Sequence, residues 1–501
     1  MTRSSPNNPA NLLSDLGQSE AALNAALEAV ASRRRAGLAG FGPAQATSLN
    51  NPTNGPGAFN RPEDALNAAV EEVAVRRKLA AESPDAYRPD LAASLNNMAN
   101  RLSAVGRSED ALIAASEAVG LYHELAAARP DAFQPYLATS LNNLAGKLNA
   151  VGRRKDALIA TELTAALYRD LAKARPDNFA PHLAMSLNNL GNALSGLGRI
   201  KDALTAAEEA VALYRDLAAA RPDALPDLAM SLNNLGNVLS TLSRSEDALT
   251  AAEEAVALYR DLAEARPGAF RPDLAASLNN LANRLSAVGR RDDALGAAAE
   301  AVALRRDLAA VRPDAFRPGL AKSLSNLSKR LNALGRIEEA LTAAEEAVAL
   351  HRELAMNRPD AFRPDLAMSL NTLANVLSVG RTEDALKAAE EAVGLYRDLA
   401  VTLPDAFRSD LAMSLAVMAD CLARSGRHWD AAQSHLESVV TLVPALKSNF
   451  MLAGPMVAYL KDYVRDATAA GSEPDYELVE RIVECLQEIV QNQRQKEKPE
   501  A

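Results

Sequence analysis

An all-α solenoid of stacked helix pairs is expected of this chain on two grounds. The first is a fixed period. Ser-Leu-Asn-Asn begins at Ser94, Ser140, Ser186, Ser231 and Ser277, then decays to Ser-Leu-Ser-Asn at Ser323, Ser-Leu-Asn-Thr at Ser369 and Ser-Leu-Ala-Val at Ser414, in steps of 46, 46, 45, 46, 46, 46 and 45 residues. The second is composition. Of 501 residues, 48% are hydrophobic but only 4% aromatic, so burial rests on Ala, Leu and Val, the side chains that close helix packing uses. A formal net charge of -10 disfavours nucleic acid or an anionic membrane as partner, since either needs clustered Lys and Arg. Cys421 and Cys485 are too few for a disulfide scaffold and lack metal-ligand spacing, which suits a reducing compartment. The first residues lead into no apolar stretch and nowhere do 18 apolar residues run together, so a cytoplasmic location without membrane contact is expected.

The repeat from residue 181 to 226 shows how the two helices arise. Pro181 is suited to a first helical position, where its fixed φ and missing N–H do no harm, and Leu187, Leu190, Gly191, Leu194 and Leu197 follow at helical spacing as helix A. Gly198 stands where a glycine would end that helix. Lys201-Asp202 open helix B, in which Ala203, Leu204, Ala207, Ala210, Val211 and Tyr214 share a face and Glu208 and Glu209 point away as a solvated outer surface. Arg221-Pro222-Asp223 stops helix B, and Pro226 begins the next cycle.

Leu190-Gly191 followed by Leu194, Gly198, Ala203, Ala207 and Ala210 resembles the spacing of the tetratricopeptide repeat, and the match recurs eight times between about residues 90 and 443. The resemblance implies a right-handed α-solenoid with the A helices on its inner wall. Tetratricopeptide repeats usually span 34 residues; here the extra length falls after Tyr214. The Leu-Asn-Asn-Leu string also resembles the long repeats of kinesin light chains, although the heptad segment of a motor adaptor is missing.

Asn11 to Gly17 aligns with Asn100 to Gly106, so the chain begins partway into a helix A, as a truncated or partial coding sequence would. Ser48 keeps the period, but Pro52, Gly55, Pro56 and Gly57 predict a loop over about 38–60. The expected organisation is therefore a partial repeat over 1–43, a degenerate repeat with a broken first helix over 44–89, eight repeats over 90–443, and capping helices with a charged tail over 444–501. Trp429 is expected to anchor the last repeat by packing.

The resemblance places residues two before, one before and two after the first leucine of each Leu-Ala/Gly pair on the inner wall. These are Asn188, Asn189 and Asn192 in one repeat, and Asn96, Asn97 and Asn100; Asn142 and Asn143; Asn233, Asn234 and Asn237; Asn279, Asn280 and Asn283; Asn326; Asn371 and Asn375 elsewhere. A carboxamide donates and accepts, which suits the unpaired backbone of an extended peptide. The first Asn of each pair reads rather as a register-holding contact to the adjacent A helix, and the second as part of a groove-facing stripe. Five positions before the leucine stand Ala93, Thr139, Met185, Met230, Ala276, Lys322, Met368 and Met413, whose methionines either line the groove or pack on the next helix. Lys322, Lys329 and Arg330 form one local basic spot. Chaperone-tail clamps of this family use a lysine where most repeats here carry Asn, which argues against that role.

Phe133, Phe179, Phe270, Phe316, Phe362 and Phe407 are expected to plug repeat junctions from the connectors, and Tyr122, Tyr168, Tyr214, Tyr259 and Tyr396 to pack along the B helices, with Arg305 and His351 in the same slot. No phosphate loop, nucleophile elbow or carboxylate pair stands out, and the histidines are scattered; no catalytic site, metal or cofactor is expected. The function expected is a scaffold that captures a protein or peptide. The alternatives are a sensor arm whose catalytic partner is absent from this chain, and self-association through the ragged N-terminal end.

Overall fold

The computed structural model describes residues 62–446 and 452–496, and the loop and half-repeat expected before Pro62 lie outside them. The described residues hold nineteen α-helices and no strand. By chain contacts the protein divides into two compact units, Met1–Ala193 and Leu194–Ala501. The first contains α1 (Pro62–Glu82), α2 (Pro84–Ala104), α3 (Ser108–Ala128), α4 (Pro130–Ala150) and α5 (Arg154–Ala174), and the division falls within α6 (Pro176–Gly196). The second holds α7 (Ile200–Ala220), a 3₁₀ turn (Pro222–Ala224), α8 (Leu225–Thr241), α9 (Ser245–Ala265), α10 (Pro267–Ala287), α11 (Arg291–Val311) and α12 (Pro313–Ala333). It continues through α13 (Ile337–Asn357), α14 (Pro359–Leu377), α15 (Thr382–Thr402), α16 (Pro404–Arg424), α17 (His428–Leu446), α18 (Ala453–Ala469) and α19 (Tyr476–Lys496). Even-numbered helices up to α16 are A helices and odd-numbered ones up to α17 are B helices. Within each unit this is a tetratricopeptide-like α-solenoid, with no helix among the described residues long and apolar enough to cross a membrane.

A typical repeat is two 21-residue helices joined by a three-residue link and followed by a single residue. That single residue is the arginine before proline. Arg266 sits at φ -140°, ψ 76°, because the ring of Pro267 bars the residue before it from helical backbone angles, while Pro267 itself is at ease as a first helical residue. Helix A thus starts at the first proline of the repeat and not at the second, where the sequence reading put it. Pro272 lies inside α10, where the carbonyl left without a donor is that of exposed Gly268 in the first turn. The phenylalanines consequently sit in the first turn of the A helices. Arg266 and Arg129 stack over Phe270 and Phe133, each 4.8 Å from the ring centroid. In the 45-residue repeat after α7 the two prolines are one residue closer, and the start of helix A tightens into the 3₁₀ turn.

The three-residue link closes the same way each time. Gly198 adopts φ 76°, and the next amide, Arg199 N–H, donates to Leu194 O at 2.9 Å. Ser243 holds the equivalent place at φ 58° with the same bond, Arg244 N–H to Leu239 O at 3.0 Å. The arginine that follows pairs its side chain with an aspartate in the first turn of helix B, as in Arg199–Asp202, Arg244–Asp247 and Arg290–Asp293, all at 2.7 Å.

Burial follows the repeat. Ala275, Ala321, Ala367 and Ala412 are 0% exposed, which lets neighbouring helices approach, and Leu278, Leu324, Leu370 and Leu415 fill the space beside them. Truncating one of these leucines to Ala would cost about 2–5 kcal/mol. From α1 through α5, and again from α7 through α18, each helix packs on its successor. Among second neighbours in the second unit, the close pairs are A on A: α8 with α10, α10 with α12, α12 with α14, and α14 with α16. The array ends on Leu442 and Leu446, which pack with Met456, Leu460, Tyr463, Ile482 and Leu486 of α18 and α19. Trp429 is no packing anchor: it is 52% exposed at the start of α17, where other repeats place a charged residue.

Candidate partner-binding surface

The A helices place the two asparagines of each pair in different surroundings, because successive helical residues point about 100° apart. In the second unit the first Asn reaches forward. Asn233, Asn279 and Asn371 lie 3.1, 2.7 and 2.6 Å from Ser277, Ser323 and Ser414 Oγ, and Asn96 makes the same bond to Ser140 in the first unit at 2.5 Å. These serines are fully buried. The second Asn reaches back and donates to the first Asn of the preceding repeat: Asn189 to Asn142 at 2.8 Å, Asn280 to Asn233 and Asn326 to Asn279 at 3.4 Å. Asn97, Asn143 and Asn234 are half-buried and make no side-chain hydrogen bond among the described residues.

A third row was not foreseen. Three positions after the first leucine stand Arg101, Lys147, Arg284 and Arg330, and three of them turn toward the later Asn. Lys147 Nζ donates to Asn100 Oδ1 at 2.9 Å, Arg284 to Asn237 at 2.6 Å and Arg330 to Asn283 at 3.5 Å. Burial pushes Arg284 and Arg330 below their ordinary range, and Lys147 also, with the charge of Arg101 adding to the effect. Lys329 stays exposed, yet desolvation by the surrounding helices, with Arg330 beside it, pushes its ammonium down. The signal for this row was a basic residue recurring at one offset in four repeats, and it was overlooked because the other four carry Ala193, Val238, Val376 and Cys421 there. Asn192 and Asn237 are exposed, and Asn100 and Asn283 half-buried.

In α12 the structure brings Lys322, Asn326 and Lys329 onto one helix face at four- and three-residue spacing. Lys322 is ion-paired with Asp365 at 3.2 Å and keeps 61% of its side chain exposed. Met230, Met368 and Met413 are 38–43% exposed in the same repeat position. From Ser231 to Thr241, Ser277 to Ala287, Ser323 to Ala333 and Ser369 to Leu377, no carboxylate occurs, in a chain with 64 acidic residues. Acids of the A helices, such as Asp227, Asp273 and Asp365, stand before these segments, and the many on the B helices are not simply solvated. Arg215, Arg260, Arg306, Arg352 and Arg397 each reach a glutamate of the next B helix, Glu254, Glu300, Glu346, Glu391 and Glu437, at 2.5–2.8 Å.

Of the histidines, His435 is held structurally by a buried partner. His435 is 1% exposed, with Nδ1 3.0 Å from Asp466 Oδ2, and no group of three potential metal ligands occurs among the described residues.

A family model described as tetratricopeptide repeat matches residues 183–218, 228–266, 274–309 and 320–355. Among solved structures, BtubC (BKLC) from P. vanneervenii is 18% identical over 49% of this chain and 92% of its own, with a TM-score of 0.39. The kinesin light chain with nearly identical TPR-like repeats from Podosopora anserina is 17% identical over 44% of this chain and 97% of its own, with a TM-score of 0.34. The apo form of RapI is 11% identical over 79% of this chain and 97% of its own, with a TM-score of 0.50. At such identities the likeness is one of fold. No curated protein matches the chain.

Proposed function

We propose that this chain, in which four tetratricopeptide repeats are matched between residues 183 and 355, is a non-catalytic scaffold that captures an extended, acidic segment of a protein partner on the A-helix face of its second unit. The observation that carries this reading is charge segregation: the C-terminal halves of α8, α10, α12 and α14 offer amides and no carboxylate, and those of α10 and α12 add the cations Arg284, Lys329 and Arg330. Lys322, Lys329, Arg284 and Arg330 attract the partner's acids, the half-buried Asn234, Asn280 and Asn326 meet its backbone, and exposed Met230, Met368 and Met413 accommodate apolar side chains of varied shape. Arg284, Lys329 and Arg330 are partly desolvated before binding, so they lose less hydration when a carboxylate arrives. All-helical repeats of this fold typically work without catalysis.

The test is fluorescence anisotropy with length-matched acidic, neutral and basic extended peptides. Acidic peptides should bind, more weakly as salt rises, and lose about tenfold with Lys322→Glu and Lys329→Glu combined. Equal binding of all three classes, or an unaffected double variant, would refute the reading.

A further inference from the structure

One slot on the B helices, three residues after the second member of an Ala-Val or Thr-Ala step, is filled by tyrosine in five repeats, at Tyr122, Tyr168, Tyr214, Tyr259 and Tyr396. Tyr259 and Tyr396 donate their hydroxyls to the carbonyls of Pro226 and Pro364 at 3.3 and 3.1 Å, and they contribute no group that titrates near neutrality. His351 occupies this slot in α13. It is 1% exposed, and the shorter imidazole turns its Nδ1 to Ser369 Oγ of α14 at 2.7 Å. Ser369 Oγ lies in turn 3.1 Å from Ser325 Oγ of α12. Nε2 is buried without a partner among the described residues.

The neutral ring fits this place and the charged ring does not. A neutral imidazole carries one N–H and one acceptor nitrogen; protonation turns both into donors, and the second N–H would find no acceptor in a site closed to water. The charged groups facing the slot are Lys322 from α12 and Asp365 from α14, which pair with each other at 3.2 Å. Burial lowers the His351 pKa, with Asp365 opposing that effect and Lys322 reinforcing it.

We propose that the junction of α13 with α14 is an acid-opened joint, in which a proton on His351 expels the imidazole from its slot and parts it from Ser369 while the tyrosine junctions stay closed. The direction follows from linkage. The folded pKa lies below the ordinary 6.5, so stability from this site is fully present above 6.5 and is lost as pH falls toward the folded value. Within that window the open form takes up one proton more than the closed form, and opening grows roughly tenfold per pH unit.

Hydrogen exchange by mass spectrometry on the full chain at about pH 7.5 and about pH 5.5, with times scaled for intrinsic exchange, tests this against His351→Tyr and His351→Phe. Expected is a several-fold loss of protection in α13 and α14 of the wild type at the lower pH, no such loss in α9 and α10 around Tyr259, and none in α13 and α14 of either variant. His351→Tyr installs the residue that Tyr259 and Tyr396 supply beside the equivalent Asp273 and Asp410, and His351→Phe removes the titrating group should the hydroxyl not fit. An acid response equal in wild type and variants, spread evenly along the chain, or absent from wild type would overturn the proposal.

Discussion

Asn279 and Asn280 are adjacent, identical and half-buried, yet replacing each by alanine should give different results. Asn279 uses its whole carboxamide: Nδ2 lies 2.7 Å from Ser323 Oγ and 3.1 Å from Ala275 O, and Oδ1 accepts from Asn326 at 3.4 Å. Ser323 is 0% exposed, so Asn279→Ala leaves its hydroxyl without the asparagine partner where water does not enter. A buried polar group stranded in this way costs about 1–3 kcal/mol, and with the weak Asn326 contact also gone a loss of about 2 kcal/mol is expected. Asn280 makes one long bond, 3.4 Å to Asn233, whose oxygen is also within 3.2 Å of Ser277 Oγ. Asn280→Ala should cost less than about 0.5 kcal/mol. Urea unfolding followed by circular dichroism measures both, with the slope checked to be unchanged so that midpoints can be compared. The peptide assay should reverse the order, with Asn280→Ala weakening capture more than its stability cost explains. Equal destabilisation by the two substitutions would refute the division of the asparagines into a register row and a groove row.

Ser243→Gly should stabilise the chain by about 0.5–1 kcal/mol, since relief of the left-handed backbone at φ 58° outweighs the extra freedom glycine has when unfolded; a thermal melt with no rise in midpoint would count against this. Cys421 is 1% exposed, and burial, with the Asp420 carboxylate adding to it, pushes its thiol up to about 11. At about pH 8 the thiol is protonated and covered, so labelling by a chromogenic thiol reagent should proceed only as fast as the last repeats open.

The period made the fold legible, because the units repeat the same buried alanines and leucines and, save at Ser243, the same turn glycine. Where helix A begins was not legible from the pattern, since two prolines five residues apart both satisfy the rules for a first helical residue. The choice rests on the single arginine between helices, which proline forces out of helical geometry. The asparagine stripe could be located but not sorted, because donor and acceptor partners lie 44 and 47 residues away and depend on the phase of two helices at once. The outer Arg–Glu pairs were hidden for a similar reason. Each member looks like an ordinary solvated charge until the neighbouring B helix is set beside it. Trp429 misled because a lone tryptophan suggests a core, whereas its position in the repeat is an outward-facing one.

The one-residue link between repeats also bears on how such a chain changes over generations. With most units bounded at both ends by an Arg-Pro step, a whole unit can be gained or lost by recombination between copies, and the new neighbours meet the same serine, asparagine and glutamate partners that the old ones did. Repeat number is then free to drift while each junction stays chemically intact. The residues that tell one unit from another, such as Lys322, Lys329 and His351, travel as passengers on interchangeable cassettes, so both specificity and acid response could be moved to another place in the array by shuffling alone.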